Sequence, residues 1–481
     1  MSTDQRGPRR SRPTGGAPAR PRPVSPAREV AYAVLEAVDE ADAYANLLLP
    51  VLTERRALST ADAGLATELS YGTLRMQGYY DAVIELAARR PAAEIDPPLL
   101  RALRLGAHQL LATRVPEHAA VDESVSLARL GGSRSGVGFV NGVLRTIARS
   151  TPEQWRERVR EATPPGDEQL AREYSHPAWV IRAMRQALRA EGREDELLTL
   201  LDANNTAPRV NLVALPGLAE RPADAEDDLL SPVGFTSAGG DPATLVRASD
   251  GRIRVQDEGS QLVALALSRA EAVRPGERWL DLCAGPGGKT ALLAAEALST
   301  GAQLDAVELM PARAELVRRA AAAVPLSVPV AVRDGRGIGS ERPGYYDRVL
   351  VDAPCTGLGA LRRRPESRWR KRPADVAELG ELQAALLRSA FAATRPGGLV
   401  LYATCSPHTA ETRAIVQSAL EEWGADAELL DVPAVLAEVT GSPVDLGTGL
   451  ERDGGRTAQL WPHRHRTDAM FLALIRRRDA R

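Results

Sequence analysis

The sequence predicts a multidomain chain: an all-α N-terminal domain, a small α+β connector and a C-terminal α/β domain with a mainly parallel sheet. Apolar residues recur at helical spacing over residues 28–163, whereas strand-like runs alternate with helical runs over residues 251–481. Residues 164–250 mix both patterns. With 481 residues, 44% of them hydrophobic, the chain is long enough to form several separate cores.

Composition narrows the class of protein further. No apolar run approaches the roughly 20 uncharged residues that a membrane helix needs, so we expect no membrane-spanning segment. The three cysteines, Cys283, Cys355 and Cys405, are too few and too widely spaced for a disulfide framework, and a reducing, cytoplasmic setting is expected. The net charge is −2, so any contact with a nucleic acid must depend on local basic patches.

The N-terminal part divides into a tail and a helical region. Residues 1–27 are rich in Arg, Pro, Ser and Gly and predict a disordered basic tail. Residues 28–163 contain, in this order, the phrases NLLL, ELSYGTLR, LRALRLGAHQLL, VPEHAAVDESVSLA and FVNGVLR. Together these phrases resemble the NusB-like RNA-binding domain. The resemblance implies contacts with RNA or with another protein.

The connector, residues 164–250, predicts a helix at YSHPAWVIRAM and a strand at RVNLVAL. The acidic stretch from Ala219 to Leu230 predicts a short helix. The glycines Gly234, Gly239 and Gly240 predict turns. We therefore expect a small α+β module between the two larger domains.

In the C-terminal region, the predicted strands end at acidic residues or cysteines. The strand-like runs are RWLDLCA, AQLDAVEL, VPVAVRD, DRVLVDAP and GGLVLYATC, followed late in the chain by AMFLALI. The first five end near Asp281, Glu308, Asp334, Asp352 and Cys405. Because ligands bind beyond the carboxyl ends of the strands in an open parallel sheet, we expect the functional site at this rim.

The glycine-rich turn DLCAGPGGKT follows the first of these strands. The phosphate-binding pattern GxxxxGK[ST] fails because Cys283 stands where its first glycine is required, and the dinucleotide pattern GxGxxG fails at Thr290. A tight turn followed about 20 residues later by Glu308 fits a nucleoside whose ribose hydroxyls donate to that carboxylate. S-adenosylmethionine is such a ligand, and Asp334 is expected on its adenine side.

Cys355 and Cys405 follow two strands directly. Their spacing does not match a zinc site, so no metal is expected and covalent chemistry is favoured. The alternative for each cysteine is a small buried hydrophobic side chain. A pyrimidine is a suitable substrate, because carbon 5 of cytosine becomes nucleophilic enough to accept a methyl group only after a thiolate adds at carbon 6.

Four segments resemble the RNA cytosine-5 methyltransferases: DLCAGPGGKT, VDAPCTGLGALRRRPESRW, ATCSPHTAET and LWPHRHRTDAMFLALI. Combined with the NusB-like region, they resemble the bacterial small-subunit ribosomal RNA methyltransferases of the Sun/Fmu family, over most of residues 28–475. The resemblance implies a Rossmann-like, S-adenosylmethionine-dependent methyltransferase domain. One departure is Ala469, where that family usually has Gly.

The resemblance also implies roles for individual residues. Cys405 corresponds to the nucleophile, Cys355 to the group that helps remove the carbon 5 proton and expel Cys405, and Asp352 to an acid between cofactor and target base. The residues implied in cofactor binding are Cys283, Ala284, Gly285, Pro286, Gly287, Gly288, Lys289, Glu308, Asp334 and Asp352.

A basic segment follows Cys355 and is a candidate surface for RNA. Its basic residues are Arg362, Arg363, Arg364, Arg368, Arg370, Lys371 and Arg372, with Trp369 among them as a possible stacking face. Ribosomal RNA is the expected partner. The alternatives are a transfer-RNA cytosine-5 methyltransferase and a non-catalytic RNA-binding or antitermination factor, and the two intact cysteines argue against the latter.

Overall fold

A computed structural model describes residues 24–132, 135–237, 241–446 and 454–479. The chain forms two compact units. One comprises Met1–Ala43, Leu48–Ser70 and Val83–Pro152, and the other comprises Tyr44–Leu47, Tyr71–Ala82 and Glu153–Arg481. Within the described ranges, none of the helices combines the length and the apolar character that crossing a membrane requires.

The N-terminal part is helical, as predicted. Its helices are α1 (Pro26–Ala41), α2 (Ala45–Arg55), α3 (Thr60–Arg75), α4 (Gln77–Ala88), α5 (Pro97–Ala112), α6 (Glu117–Leu130), α7 (Val137–Ala148) and α8 (Pro152–Glu161). Helix α5 begins at the pair Pro97-Pro98, because a proline in the first turn lacks only an N–H that would have no partner there. Most of the predicted tail, residues 1–27, lies outside the described residues, and its last two residues already belong to α1.

The connector combines four helices with a small antiparallel sheet. Its elements are α9 (Asp167–Glu173), α10 (Ala178–Ala190), α11 (Leu197–Asn205), β1 (Asn211–Ala214), β2 (Glu226–Asp227), β3 (Gly234–Thr236), α12 (Pro242–Ala248) and β4 (Ile253–Val255). The strand order is β2-β3-β1-β4. Strand β4 therefore completes this sheet from beyond the predicted boundary at residue 250.

The short helix predicted over residues 219–230 is wrong. This stretch consists of turns and β2, which pairs with β3. Pro222 interrupts a helix there, and the closely spaced carboxylates of residues 224–228 repel one another without an apolar stripe to bury. Gly234 lies in a strand instead of the predicted turn, whereas Gly239 and Gly240 lie outside the described residues.

The C-terminal part alternates strands with helices, as predicted. Its elements are α13 (Glu258–Ser268), β5 (Arg278–Asp281), α14 (Gly288–Thr300), β6 (Gln303–Glu308), α15 (Pro311–Ala321), β7 (Val330–Val332), α16 (Ile338–Glu341), β8 (Tyr346–Asp352), α17 (Ser367–Arg370), α18 (Pro373–Ala393), β9 (Thr394–Thr404), α19 (Arg413–Trp423), β10 (Ala427–Leu429), α20 (Val432–Thr440), β11 (Ala458–Gln459), α21 (Pro462–His465) and β12 (Phe471–Arg477).

These strands form one twisted sheet in the order β10-β12-β9-β8-β5-β6-β7, with β11 added beside β12. Strands β5 to β9 are parallel, and β12 runs antiparallel to β9 and β10. Strand β5 lies between β6 and β8, so the chain reverses its direction of winding at β5. Ligand crevices of open α/β sheets form at such a reversal, which places a candidate crevice beyond the ends of β5 and β8.

Alternating residues of the central strands face two separate cores. Leu399 and Leu401 of β9 pack with residues of α13, α14 and α20, whereas Val400 and Tyr402 pack with residues of α18 and α19. This alternation follows from the two-residue repeat of a strand. Helices therefore cover both faces of the sheet, and the rim of loops beyond the strand ends is left to form a site.

Candidate functional site

The predicted rim forms at the carboxyl ends of the parallel strands. Asp281, Glu308, Asp352 and Thr404 are the last residues of β5, β6, β8 and β9. Cys355 and Cys405 follow the last two of these strands. The structure thus brings the predicted acids and cysteines to one edge of the sheet.

The glycine-rich turn between β5 and α14 depends on Gly287. This residue has a φ of 103°, and a β-carbon at this position would lie 2.6 Å from the Ala320 side chain of α15. Only glycine combines this left-handed conformation with so close an approach. The turn delivers the chain into α14, whose N-terminal N–H groups carry the positive end of the helix dipole.

Glu308 binds the backbone of that turn. Its carboxylate accepts hydrogen bonds from the N–H of Gly285, at 3.0 Å, and from the N–H of Met310, at 2.9 Å. A β-carbon at residue 285 would overlap with this carboxylate, so glycine permits the contact. Leu309 and Met310 beside it are 59% and 53% exposed, which leaves an apolar surface next to the acid.

Asp334 lies just beyond β7 and is engaged by a neighbour. Its carboxylate accepts from the backbone N–H and from the guanidinium of Arg336, with a closest distance of 2.6 Å. These hydrogen bonds hold the pKa of Asp334 below its ordinary value. The carboxylate is on the predicted rim, and it is anionic and already paired.

Asp281 was not among the predicted site residues, although it ends the first strand of the sheet. Its Oδ2 accepts a hydrogen bond from the Thr290 hydroxyl at 2.7 Å, and its buried Oδ1 has no partner among the described residues. Burial raises the pKa of Asp281 to about 7, and the charge of Asp352 adds to this increase. A buried oxygen without a partner is costly unless a ligand donates to it.

These groups fit a nucleoside that carries further polar groups. Glu308 offers a carboxylate for hydroxyl donors, Leu309 and Met310 offer an apolar surface, and Asp281 offers an unpartnered acceptor. The donor set is therefore compatible with the predicted S-adenosylmethionine.

Lys289 and Asp352 form an ion pair in this crevice. The Lys289 Nζ donates to Asp352 Oδ2 at 2.8 Å. Burial lowers the pKa of Lys289, but the charge and hydrogen bond of Asp352, together with the charge of Cys405, raise it above its ordinary value overall. The ammonium is thus held charged beside both the acid and the sulfur.

The two rim cysteines are in contact. Cys355 Sγ and Cys405 Sγ are 3.4 Å apart, and both cysteines are free thiols. The hydrogen bond with Cys405 and burial raise the pKa of Cys355 well above its ordinary value. Cys283 differs from this pair, because it packs against the core that contains α18 and α19, where burial raises the pKa of its thiol.

A buried carboxylate joins the turns that carry the two cysteines, and the sequence interpretation missed it. Glu411 accepts hydrogen bonds from the backbone N–H of Thr356, at 2.7 Å, from the Thr356 hydroxyl, and from the Ser406 hydroxyl, at 2.7 Å. Thr356 and Ser406 each directly follow a cysteine. The signal was the glutamate in ATCSPHTAET, whose partner in the other turn no spacing rule reveals.

The Cys405 turn is also fixed by a close backbone approach. Gly359 N donates to Cys405 O at 2.9 Å, and Ala469 N donates to Gly359 O at 2.9 Å. A β-carbon at residue 359 would lie 2.8 Å from Cys405 O and would overlap with Ala469 O. Residue 359 must therefore be glycine, whereas Ala469 packs into a hydrophobic core cluster.

The basic segment after Cys355 is only partly available to a ligand. Arg363 donates to Asp257 at 2.8 Å and to Asp468 at 3.1 Å, and Arg362 pairs with the same two acids. The prediction of a phosphate-binding surface is therefore not supported for these two residues, because their guanidinium groups face Asp257 and Asp468.

Arg368 is the third inward-facing residue of this segment. It is fully buried and donates to the backbone carbonyls of Arg75, Ser175 and Asn204 at 2.7–2.9 Å. Burial lowers the pKa of Arg368 from its ordinary value. Arg364 and Arg372 are exposed, and Trp369 is 39% exposed. The candidate RNA surface is therefore smaller than the sequence predicts.

Across the part of the chain that the structure describes, no group of three or more His, Cys, Asp or Glu side chains is arranged to hold a metal ion. The crevice itself combines a cation, three acids and two thiols. This set can bind polar groups, move protons and present a sulfur nucleophile.

Comparison with known proteins identifies similar sequences and folds. The family 16S rRNA methyltransferase RsmB/F matches residues 269–476, and the NusB family matches residues 25–149. A Mycobacterium tuberculosis protein named as a methyltransferase is 47% identical, over 99% of this chain and 100% of that protein. The Serratia proteamaculans protein named ribosomal RNA small subunit methyltransferase B is 30% identical, over 92% and 97%.

One solved structure is similar over nearly the whole chain. The crystal structure of PH0851 covers 95% of this chain and 100% of its own, with a TM-score of 0.75 and 23% sequence identity. At this identity the likeness shows the fold alone. It supports the order of a helical N-terminal part and an α/β C-terminal part.

Proposed function

Because the chain belongs to the RsmB/F family of 16S rRNA methyltransferases, we propose that it methylates carbon 5 of a cytosine in RNA through a covalent cysteine–cytosine intermediate. Small-subunit ribosomal RNA is the proposed substrate, since the Serratia relative is named for it. S-adenosylmethionine is the proposed methyl donor.

The proposed cofactor residues bind different parts of S-adenosylmethionine. Glu308 binds the ribose hydroxyls, and the turn from Cys283 to Lys289 lines the methionine end. Asp334 would face the adenine side, and the exposed Leu309 and Met310, which directly follow Glu308, offer an apolar surface. When bound, S-adenosylmethionine supplies an electrophilic methyl group on a sulfonium. The residues around it orient the donor and keep water from the methyl group.

Cys405 activates the base. Its thiolate adds to carbon 6 of cytosine, which moves electron density to carbon 5 and forms the carbon–sulfur bond. Lys289 lies close enough for its charge to stabilise that thiolate. Asp352, held by Lys289 at 2.8 Å, hydrogen-bonds the cytosine and stabilises the charge that develops on the ring.

Cys355 completes the turnover. After carbon 5 has taken the methyl group, it must lose its proton so that the carbon 6–sulfur bond can break and return the electron pair to Cys405. Cys355 first releases its own proton to water and then, as a thiolate, accepts the carbon 5 proton; its raised pKa makes this thiolate a strong base. Both cysteines are then regenerated.

The observation that carries the proposal is the 3.4 Å contact between Cys355 and Cys405 beside the Lys289–Asp352 pair. A purely structural thiol pair would not need a buried ammonium held charged next to it. Each cysteine therefore has a separate test. With a 16S rRNA transcript and S-adenosylmethionine, Cys405→Ala should lose methylation by more than about 1,000-fold while keeping cofactor binding.

The matched variant Cys355→Ala should accumulate a covalent protein–RNA adduct, seen as a band of reduced mobility on a denaturing gel. The double variant should form no adduct, because the nucleophile is absent. Normal turnover of Cys355→Ala without an adduct would contradict the assignment of roles.

The substrate is tested in cells. Bisulfite sequencing of ribosomal and transfer RNA from a strain lacking the gene and from its parent shows which methylated cytosine disappears. Loss of a cytosine signal in 16S rRNA supports the proposal. Loss only in a transfer RNA identifies the alternative substrate, and no loss in either contradicts methyltransferase activity.

A further inference from the structure

Gln256 is a buried side chain whose hydrogen-bonding groups are both unused. The residue is 6% exposed, and neither its Oε1 nor its Nε2 has a partner among the described residues. Leaving one buried polar group unpaired costs roughly 1–3 kcal/mol, so an amide with two such atoms needs a reason to be retained. Binding of a ligand that forms hydrogen bonds with this amide would provide that reason.

The backbone fixes where this amide lies. Gln256 directly follows β4, its N–H donates to Asn211 O at 3.1 Å, and its carbonyl accepts from Gln261 Nε2 at 3.0 Å. The side chain lies next to Gly288, where a β-carbon would be 3.7 Å from its amide carbon and 3.8 Å from its Nε2. The amide therefore stands beside the first residue of α14, at the end of the glycine-rich turn.

The chemistry of this position selects the kind of group it can bind. A glutamine amide donates through Nε2 and accepts through Oε1, so it complements a group that carries both an acceptor and a donor. The N-terminus of α14, a helix of 13 residues, favours an anion there. An α-amino acid end, with its carboxylate and ammonium, meets both conditions.

We propose that Gln256 binds the amino-acid end of the methyl donor, with Nε2 donating to the carboxylate and Oε1 accepting from the ammonium. The inference rests on the proposed use of S-adenosylmethionine. It extends the cofactor site to the segment between the connector sheet and α13, which none of the predicted site residues includes.

Two ligands separate this contact from the rest of the site. S-adenosylhomocysteine keeps the amino-acid end, whereas 5′-methylthioadenosine has the same nucleoside and thioether without it. Their affinities for the full-length protein are measured by isothermal titration calorimetry. The variant is Gln256→Met, which keeps the length of the side chain and removes its hydrogen-bonding groups, and exposed Gln303→Met is its control.

We expect Gln256→Met to weaken S-adenosylhomocysteine binding about 10- to 100-fold and to leave 5′-methylthioadenosine binding within twofold, while Gln303→Met changes neither. The melting temperature of the ligand-free Gln256→Met protein should equal or exceed that of the wild type, because the variant removes two unpaired buried atoms. A structural glutamine would show the opposite, a lower melting temperature with equal losses for both ligands.

A second variant tests the contact by a change of charge. Gln256→Glu places a carboxylate near the ligand carboxylate and should weaken S-adenosylhomocysteine binding further than Gln256→Met does. If either variant binds S-adenosylhomocysteine as the wild type does, or loses both ligands equally, the assignment of Gln256 is overturned. If the wild type itself binds neither ligand, the proposed cofactor fails, which is a different result.

Discussion

Asp281 is a carboxyl group whose pKa is strongly altered by its position in the crevice. It is 1% exposed, and burial raises its pKa to about 7 from an ordinary value of 3.8. The folded protein therefore keeps a proton that the unfolded chain releases between about pH 4 and pH 7. Because the unfolded state binds fewer protons in this window, the free energy of unfolding falls as pH rises through it.

Replacing this acid should change the pH dependence of stability. Asn at residue 281 still accepts the hydrogen bond from Thr290, but it does not titrate. We expect the stability of Asp281→Asn relative to the wild type to rise by on the order of 2–3 kcal/mol between pH 5 and pH 8. Thermal unfolding of the ligand-free proteins across this range measures the difference. Parallel pH curves for the two proteins would contradict the buried, protonated state.

One glycine determines the conformation of the loop that follows β8. Gly359 lies between the backbone carbonyls of Cys405 and Ala469, so a side chain there must push apart the turns that they belong to. This backbone contact of Gly359 with Cys405 and Ala469 connects residues that are far apart in the chain. It fixes the Cys405 turn independently of the strand that precedes it.

Gly359→Ala should therefore destabilise the protein and slow methyl transfer. We expect a loss of about 1–3 kcal/mol from overpacking, together with a lower kcat, because the Cys405 turn moves. Gly380→Ala is the matched control, since this glycine lies inside α18 with nothing within 4 Å of the added β-carbon. The control should gain stability, by up to about 1 kcal/mol. Equal melting temperatures and rates for both variants would show that the turn tolerates the displacement.

The elements themselves were predictable where local chemistry decides them. Alternation of strand-like and helical runs, with an acid or cysteine ending each strand, predicted the parallel sheet and its rim, because strand ends meet at one edge. The helix predicted for the acidic stretch at residues 219–230 was wrong, because the conformation of this stretch depends on pairing with β3. Composition within the stretch carries no information about that partner.

The same reasoning explains what was missed in the site. Glu411 acts through Thr356 in another segment, and the amide of Gln256 reaches the glycine-rich turn only in the fold, so neither spacing nor residue type singles these residues out. For the basic segment after Cys355, in contrast, the sequence predicted too many functional residues. Arg362, Arg363 and Arg368 look like a solvent-facing cluster in the sequence, whereas their partners, Asp257, Asp468 and several carbonyls, come from distant parts of the chain.

The basic residues of this protein form two groups, those that stabilise the fold and those that are exposed and available to RNA. Arg368 donates to carbonyls near the ends of α3, α9 and α11, and thus joins segments that are distant in sequence. Arg364 is exposed four residues earlier. Net charge is near zero, so binding to RNA depends on a few exposed groups such as this one.

Substitution of the two arginines should separate folding from binding. Arg368→Met should lower the free energy of unfolding by at least about 3 kcal/mol, because several buried carbonyls lose their donor. Arg364→Met should leave the melting temperature unchanged and weaken RNA binding at low salt, with the slope of log K against log salt reduced by about 0.7–1. Thermal unfolding and a salt titration of binding measure the two effects. An unchanged salt slope for Arg364→Met would remove this residue from the RNA surface.

The hydrogen bonds of Glu411 limit how the two cysteine loops can be transferred into another protein. Since one carboxylate holds Thr356 and Ser406 together, the two loops form a single interchangeable part even though some 50 positions of chain separate their cysteines. A chimera that imports one loop from a relative must import the other loop and the glutamate with it. Exchanging the loops separately would break the hydrogen bonds of Glu411 with Thr356 and Ser406, and the two thiols would no longer be held in place.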